Sequence, residues 1–336
     1  MKDRAMNNNN NNNNGHLEIK QPMMVIGVGG AGAKIAVESS KMLGCKCVLI
    51  SNDKRDLNDD YYSIFIDSRS WINPSSYKLR SYALSSVDMI KSAIEGFNTL
   101  IIVANLAGKA GTAVAPLVCK TAKYSSSSST TISFTIMPFK FEKDKIFQAG
   151  ISLNRIRDFS DATVVIDNDA FLDNNPELSP EECYEITNRS LYEIISSIST
   201  GYIYSDTNLL CTSKIDSGSA KSSLKESIGM LYENADPTSI KRAMLYVMGG
   251  RRVAIGELNS IVTTLQGIFK NEGIAEVAMS VCSSDNIRVN LIAAVGEKTR
   301  FDKYDPLGEV IPKENVLDWE DLDSSPDIEM TIPNLE

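Results

Sequence analysis

The strongest constraint on the fold is an alternation of apolar runs with helical patterns. The apolar runs occur at 23–28, 46–51, 62–66, 99–104, 131–136 and 161–166, and helical patterns at about 31–43, 81–95, 112–123 and 144–157. The runs are β-branched and lack polar alternation, which is typical of strands covered on both faces of a mostly parallel sheet. Right-handed crossovers then bring the strand-to-helix loops to one edge, where ligands bind. The sequence therefore predicts an α/β domain with a mostly parallel sheet.

A longer helix is predicted next. Ser179-Pro180-Glu181-Glu182 supplies an N-cap serine, a proline in the first turn and a glutamate three residues after the cap. Apolar runs at 243–248, 274–282 and 288–295, with a helix near 255–269, indicate a smaller α+β domain with its own sheet. The predicted units are a disordered tail (1–20), the nucleotide-binding domain (21–178), the central helix (179–201), the C-terminal domain (202–300) and an acidic flexible tail (301–336).

Charge and rare residues exclude several classes of protein. The net charge is −9, and eight acids with no Lys or Arg lie between Glu314 and Glu336. An acidic tail on a near-neutral body argues against nucleic-acid binding. The one histidine, His16, lies beside an Asn run, which argues against a Ser-His-Asp triad or a His-based zinc site. Six cysteines without a CxxC pair, no long apolar run and no secretion signal favour a cytoplasmic protein.

The first glycine loop is compatible with more than one ligand. Gly27-x-Gly29-x-x-Gly32 follows an apolar run and opens a helix, and Asp53 lies where an acid that binds a ribose belongs. Glycines let the backbone approach a phosphate, and a helix N-terminus offers free N–H groups. On this stretch alone, NAD binding by an oxidoreductase and a tight turn without a ligand both stay open.

A second small-residue loop changes the interpretation. Asn105 to Pro116 follows the strand Leu100 to Ala104 and opens another helix. A dinucleotide-binding domain needs no second phosphate loop at this point of its sheet, whereas a nucleoside triphosphate held between two helix starts does. The paired loops therefore favour a nucleoside triphosphate over NAD.

Four motifs, in order, resemble those of the FtsZ/tubulin superfamily of polymerising GTPases, and of FtsZ in particular. GVGGAGAK resembles the opening glycine loop, and ANLAGKAGTAVAP lies over the signature A-G-M-G-G-G-T-G-T-G-A-A-P. The segment Ile136 to Glu142 resembles M-P-F-x-F-E, and DATVVIDNDAFL resembles the strand that precedes the central helix. The resemblance covers roughly residues 22–300.

The resemblance implies contacts to GTP or GDP, with Mg²⁺ as an expected companion. The first loop is expected to hold the diphosphate, the second the terminal phosphates, and the central helix guanine, with Tyr184 stacked on the ring. The implied nucleotide contacts are Gly29, Gly30, Ala31, Gly32, Gly108, Lys109, Ala110, Gly111, Thr112, Asn168, Tyr184 and Asn188. The alternative for Tyr184 and Asn188 is packing and simple exposure.

Two departures from the family pattern bear on activity. Several signature glycines carry a Cβ here, and Lys109 adds a cation that either binds a terminal phosphate or is solvated. In the family, a loop after the central helix, N-x-D-F-x-D, enters the next subunit's site. Asp206 matches its first acid and is the expected catalytic residue, whereas Tyr204 and Leu209 replace the asparagine and the second acid. Hydrolysis is therefore expected to be weak or lost.

The resemblance implies a filament-forming cytoskeletal or cell-division protein whose subunits stack head to tail. The alternatives are a non-hydrolysing pseudo-GTPase scaffold that regulates another polymerising FtsZ-like subunit and, more remotely, an NAD-dependent oxidoreductase. The C-terminal tail ends in the apolar residues Ile328, Met330, Ile332 and Leu335. It is expected either to dock on a membrane-anchoring protein or to be a plain disordered tail.

Overall fold

The computed structural model describes residues 15–68, 74–125, 129–198, 201–205, 207–214, 219–249, 253–271, 276–282, 287–296 and 299–305. Its strands are β1 (His16–Glu18), β2 (Met23–Val28), β3 (Lys46–Ser51), β4 (Tyr62–Phe65), β5 (Thr99–Asn105), β6 (Thr130–Met137), β7 (Ala162–Asp167), β8 (Tyr202–Tyr204), β9 (Thr207–Cys211), β10 (Ile240–Met248), β11 (Glu276–Cys282) and β12 (Arg288–Val295). Its helices are α1 (Gly29–Leu43), α2 (Ser76–Leu84), α3 (Val87–Ile94), α4 (Lys109–Ser125), α5 (Lys143–Phe159), α6 (Asn168–Asn174), α7 (Pro180–Ile198), α8 (Ala220–Asn234) and α9 (Ile255–Asn271).

Ten of the strands form one mostly parallel sheet in the order β11-β10-β12-β9-β7-β6-β5-β2-β3-β4. The neighbours from β4 to β9 all pair in parallel, and the strands β2, β5, β6 and β7 lie in the hydrophobic core. The predicted fold class is confirmed, because the six apolar runs became β2 to β7, with β4 as the partly exposed edge strand and β2, β5, β6 and β7 buried on both faces.

The C-terminal strands continue this sheet. β9 pairs in parallel with β7 through Val165 and Leu209, and antiparallel with β12 through Leu209 and Ala293. β12 then pairs with β10, and β10 with the edge strand β11. The predicted separate C-terminal sheet is thus joined to the first one by β9 in the described chain, and the domain boundaries stay a prediction.

Several elements differ from their predicted form. The helical pattern at 81–95 forms two helices, because the N–H and hydroxyl of Ser85 bond to the carbonyl of Tyr82 and end α2 there. The predicted N-terminal tail contains β1, whose partner β8 lies far along the chain, so local composition gives no sign of it. Three segments with predicted features lie outside the described residues: residues 1–14, the Ser126–Ser128 part of the serine tract and the acidic tail from residue 306.

The central helix α7 has the predicted cap. The hydroxyl of Ser179 accepts from the N–H of Glu182 at 3.3 Å, and the Glu182 carboxylate accepts from the N–H of Ser179 at 2.8 Å. The helix packs against α1, while α4 packs against α2 and α5. Of the helices that the structure describes, none is both long and apolar enough to cross a bilayer.

Candidate functional site

The first glycine loop joins β2 directly to the start of α1. Gly29 begins the helix with a φ of +71°, a left-handed conformation that residues with a Cβ rarely adopt. Val28 precedes it and offers no side-chain cap. The first N–H groups of α1 therefore lack a side-chain acceptor from their own cap position and are available to an anion.

The second loop is held in shape by its own polar groups. The amide oxygen of Asn105 accepts from the N–H of Ala107 at 2.8 Å. The Thr112 hydroxyl lies 2.6 Å from the carbonyl oxygen of Gly108 and 3.1 Å from that of Leu106. A Cβ on Gly111 would overlap the carbonyl oxygen of Asn105. The turn into α4 therefore depends on a missing side chain at residue 111.

Both loops line one cavity of about 260 Å³. It brings together seven of the predicted contacts: Gly29, Gly30, Ala31, Gly108, Lys109, Ala110 and Gly111. Gly32 and Thr112 do not line it; both are buried, and the Thr112 hydroxyl is engaged with the loop backbone. Two helices of 15 and 17 residues start at this cavity, so two positive dipole ends converge on it.

A third wall comes from the segment after β3. Asn52, Asp53 and Asp56 line the cavity beside the two loops. Asp53 accepts from the Arg55 side chain at 2.6 Å and from its backbone N–H at 2.9 Å, and these bonds hold the pKa of Asp53 at about 2. Asp56 accepts from the Ser51 hydroxyl at 2.7 Å. Asn52 and Asp56 were missed, although their place after a parallel strand put them at the ligand edge.

The residues predicted to contact guanine lie outside this cavity's lining. Tyr184, on α7, is half-buried, and its ring meets Phe139 edge-on with centroids 5.2 Å apart. Phe139 stacks in turn on the exposed ring of Phe141 at 4.9 Å. Burial, followed by the charge of Glu142, raises the pKa of Tyr184 to about 12. Tyr184 thus presents a neutral aromatic ring beside the loop that follows β6.

Two asparagines near the same edge have unpaired polar atoms. Within the described residues, both side-chain polar atoms of Asn168 and the amide oxygen of Asn188 are buried without a hydrogen-bond partner. Such groups cost about 1–3 kcal/mol each when left unpaired. They are therefore the kind of groups that a polar ligand would satisfy.

A buried acidic cluster flanks Asn168. Asp167 is fully buried, and its carboxylate lies 3.0 Å from the Arg300 guanidinium, which also reaches Asp169 at 3.2 Å. Burial raises the pKa of Asp167 to about 7 despite the opposing charge of Arg300. Sequence reasoning missed Arg300, because the 3-10 turn that carries it (Arg300–Tyr304) lies far along the chain.

The segment predicted to enter a neighbouring site is not one continuous loop. Asp206 lies outside the described residues. Tyr204 belongs to β8 and is fully buried, whereas Leu209 lies within β9, 1% exposed, between Val165 and Ala293. The position taken for the second acid is thus an interior sheet position, where a carboxylate would be buried.

The described groups of acidic, histidine and cysteine side chains include no cluster able to hold a metal ion alone.

Comparison with known proteins gives one family and consistent relatives. Residues 22–176 match the model of the Tubulin/FtsZ family, GTPase domain. The chain is 25% identical over 276 residues to "Cell division protein FtsZ" of Haloferax mediterranei, covering 73% of this chain and 72% of that protein. It is 24% identical over 313 residues to "Cell division protein FtsZ 1" of Archaeoglobus fulgidus, covering 84% of each.

Solved structures share the fold at low sequence identity. An empty FtsZ dimer from M. jannaschii superposes with a TM-score of 0.65 at 20% identity, covering 83% of this chain and 88% of that one. A GTPγS-bound protofilament of CetZ2 from Haloferax volcanii gives 0.62 at 17% identity, covering 84% and 95%.

Proposed function

Because the chain belongs to the FtsZ/tubulin superfamily, we propose that it binds GTP and GDP and assembles into filaments as a cytoskeletal, FtsZ-like protein. The observation that carries nucleotide binding is the single cavity lined by Gly29 to Ala31 and by Gly108 to Gly111. Two helix N-termini facing one cavity suit a polyphosphate, since each supplies N–H donors and a positive dipole end.

Guanine is proposed to bind on the side of Tyr184, Asn188 and Asn168. The Tyr184 ring supplies a stacking surface, and the unpaired amides supply the donors and acceptors that the guanine edge needs. Asn188 follows Tyr184 by one helical turn, so the two side chains lie on the same face of α7. Gly32 and Thr112 then support the loops rather than touch phosphate.

Mg²⁺ is proposed to enter with the nucleotide. Asp53 and Asp56 put two carboxylates on the wall of a cavity that also suits phosphate. The two carboxylates and a bound phosphate would repel one another there unless a cation lies between them. Those two residues are the protein groups that would hold the ion, and its contribution is to neutralise phosphate charge.

Head-to-tail self-association is proposed for the assembled form, in the cytoplasm. Two fold neighbours, the FtsZ of M. jannaschii and CetZ2, were solved as a dimer and as a protofilament, and one repeated asymmetric contact propagates into a filament. A mixed filament with a second FtsZ-like subunit uses the same contact. Docking of the acidic tail on a membrane-anchoring protein remains a proposal for residues outside the described chain.

Hydrolysis is proposed to be weak, with Asp206 as the remaining catalytic acid. The placement of Leu209 inside β9 favours the second candidate, a pseudo-GTPase scaffold that binds nucleotide and regulates a polymerising relative. In that case the chain retains the nucleotide cavity but lacks a competent loop after the central helix.

Two measurements test the proposal. Titration of nucleotide-free protein with fluorescent GTP, GDP and NAD should give saturable binding of the two guanine nucleotides and none of NAD. Sedimentation with GTP, with GDP and without nucleotide should give GTP-dependent pelleting. A protein that binds GTP but stays monomeric throughout points to the scaffold, and one that binds neither guanine nucleotide overturns the proposal.

A further inference from the structure

The N-terminal strand β1 is paired with the segment that leaves the central helix. β1 and β8 form an antiparallel ribbon, separate from the large sheet, in which His16 faces Tyr204 and Glu18 faces Tyr202. Further backbone bonds extend it at both ends, from Ser205 N–H to the Gly15 carbonyl at 3.0 Å and from Ile19 N–H to the Gly201 carbonyl at 3.2 Å. The ribbon thus covers Gly15–Ile19 and Gly201–Ser205.

Side chains fix the ribbon as well as the backbone. The His16 ring stacks on Tyr202 with centroids 4.0 Å apart and planes 10° apart, and it lies 5.4 Å from the Tyr204 ring. Tyr204 is fully buried, with the Arg242 guanidinium 5.5 Å from its ring centre. Gly15 has a φ of +64°, and a Cβ there would lie 2.7 Å from Arg242 Nη1. Gly15 and His16 are therefore held against Tyr202, Tyr204 and Arg242 by specific contacts.

The location of the ribbon links it to Asp206. Ser205 directly precedes Asp206 in the chain, and β9 begins directly after it at Thr207. The ribbon also lies beyond the C-terminal end of α7, whereas Tyr184 lies near the start of that helix. Fourteen residues at 1.5 Å each separate Tyr184 from Ile198 by about 21 Å. The ribbon is thus distant from Tyr184 but adjacent in the chain to the proposed catalytic acid.

β8 is three residues long, and within the described chain its strand partner is β1. A two-stranded ribbon is marginal by itself, so the conformation of Gly201–Ser205 depends on the stacking and bonding that β1 provides. Removing β1 leaves to water the backbone groups that pair with it, while the Tyr204 carbonyl still accepts from the Asn208 amide and the Gly201 N–H still donates to the Ile198 carbonyl.

We propose that Gly15–Ile19 is a positioning strand, with His16 as its main positioning residue, that holds Gly201–Ser205, the residues that directly precede Asp206 in the chain. Its effect on turnover rests on the proposed function, in which Asp206 acts on the nucleotide of the next subunit. Its effect on the order of Gly201–Ser205 does not. Nucleotide affinity of the single subunit should be independent of this strand.

Amide hydrogen exchange on the monomer tests the structural part. In a chain lacking residues 2–18, the amides of Gly201–Ser205 should exchange at least about tenfold faster. His16→Ala should raise exchange about two- to tenfold, while His16→Phe, which keeps a stacking ring, and a chain lacking only residues 2–13 should behave as wild type. Amides of Gly29–Gly32 serve as the internal control. Unchanged exchange of Gly201–Ser205 in the chain lacking residues 2–18 overturns the proposal.

GTP binding and turnover test the functional part. His16→Ala should leave the Kd for GTP and the thermal midpoint close to wild type and lower kcat at high protein concentration about two- to tenfold, in line with its exchange effect. His16→Phe should restore kcat. A wild-type protein that binds no GTP refutes the proposed function, yet the exchange result still decides whether the strand positions β8. A normal kcat in His16→Ala with accelerated exchange refutes the functional link.

Discussion

At the scale of single residues, the charged side chains around the cavity determine the charge of the ligand that it suits. Lys109 is the first residue of α4 and brings an ammonium to a cavity that also holds Asp53 and Asp56. Arg55 already pairs with Asp53, so the carboxylate of Asp53 is partly neutralised before any ligand arrives. The arrangement suits a highly charged anion accompanied by a cation, which is the form in which nucleoside triphosphates bind.

Lys109→Ala should weaken GTP binding about tenfold, because a charge-assisted hydrogen bond is worth about 1.5–3 kcal/mol. GDP binding should weaken less, since the proposed partner is the terminal phosphate. Titration with both nucleotides measures the difference. Lys34→Ala is the matched control, because Lys34 lies in α1, is exposed and does not line the cavity. Equal losses for GTP and GDP would assign Lys109 to another role.

The buried carboxyl of Asp167 should make stability depend on pH. Its pKa is raised from 3.8 to about 7 by burial, so between these values the folded state binds more protons than the unfolded state. The free energy of unfolding should therefore fall as pH rises from about 4 to 7, by at most about 1.4 kcal/mol per pH unit from this group. Urea unfolding at several pH values measures the slope.

Asp167→Asn is the comparison for that slope, since asparagine can still accept from the N–H of Asp169 as the N-cap of α6. The variant should lose this part of the pH dependence. An identical slope in both proteins would mean that Arg300 keeps Asp167 ionised across the range.

At the scale of elements, the two helix starts depend on positions where a side chain does not fit. Gly111→Ala would place a Cβ on the Asn105 carbonyl oxygen, and the loop must shift to accept it. We expect a loss of about 1–3 kcal/mol in unfolding free energy together with weaker GTP binding. Chemical denaturation and nucleotide titration measure the two effects.

Gly267→Ala is the matched control for this substitution. Gly267 is exposed in α9, and a Cβ there meets no atom within 4 Å. The change should stabilise the protein by about 0.5–1 kcal/mol without altering nucleotide binding. A Gly111→Ala protein as stable as wild type would show that the turn into α4 tolerates a side chain.

The elements that the sequence predicted well are those specified by local pattern. β2 to β7 correspond to the predicted apolar runs, and the start of α7 is predicted by the cap residues Ser179 and Glu182. The elements missed are defined by distant partners: β1 needs β8, and β9 joins strands from two parts of the chain. Periodicity reports burial along one segment and carries no information on which segment pairs with which.

The residues of the candidate site also separate into those that local sequence predicts and those that depend on distant partners. That the two glycine loops lie together could be predicted, because each follows a strand of one parallel sheet and opens a helix. The contact of Arg300 with Asp167 could not be predicted, because it follows from tertiary placement, whereas the place of Asn52 and Asp56 after a parallel strand was a signal that was overlooked. Thr112 was predicted to touch phosphate, whereas its hydroxyl lies on the carbonyl of Gly108.

At the scale of the whole molecule, the nucleotide cavity and the Asp206 segment are proposed to meet between subunits rather than within one. A head-to-tail contact uses two different surfaces of each subunit. Each surface can therefore be impaired by its own variant, and the partner surface on the same chain stays intact.

Mixing two variants tests that arrangement. Lys109→Ala impairs the cavity and Asp206→Ala the acid, so each alone should release phosphate slowly at limiting GTP. In an equal mixture, about a quarter of random contacts join an intact cavity to an intact Asp206, and turnover should recover to about that fraction of wild type. Phosphate release at high protein concentration measures it. A mixture no faster than the average of its components would place cavity and acid within the same chain or exclude Asp206 from the reaction.

The position of Gly15 also decides how this protein can be labelled. Because the Gly15 carbonyl accepts from the Ser205 N–H, a fluorescent protein or affinity tag joined to Met1 is attached fourteen residues before a residue that contacts the segment after the central helix. Such a fusion crowds the side of the molecule that a neighbouring subunit is proposed to approach.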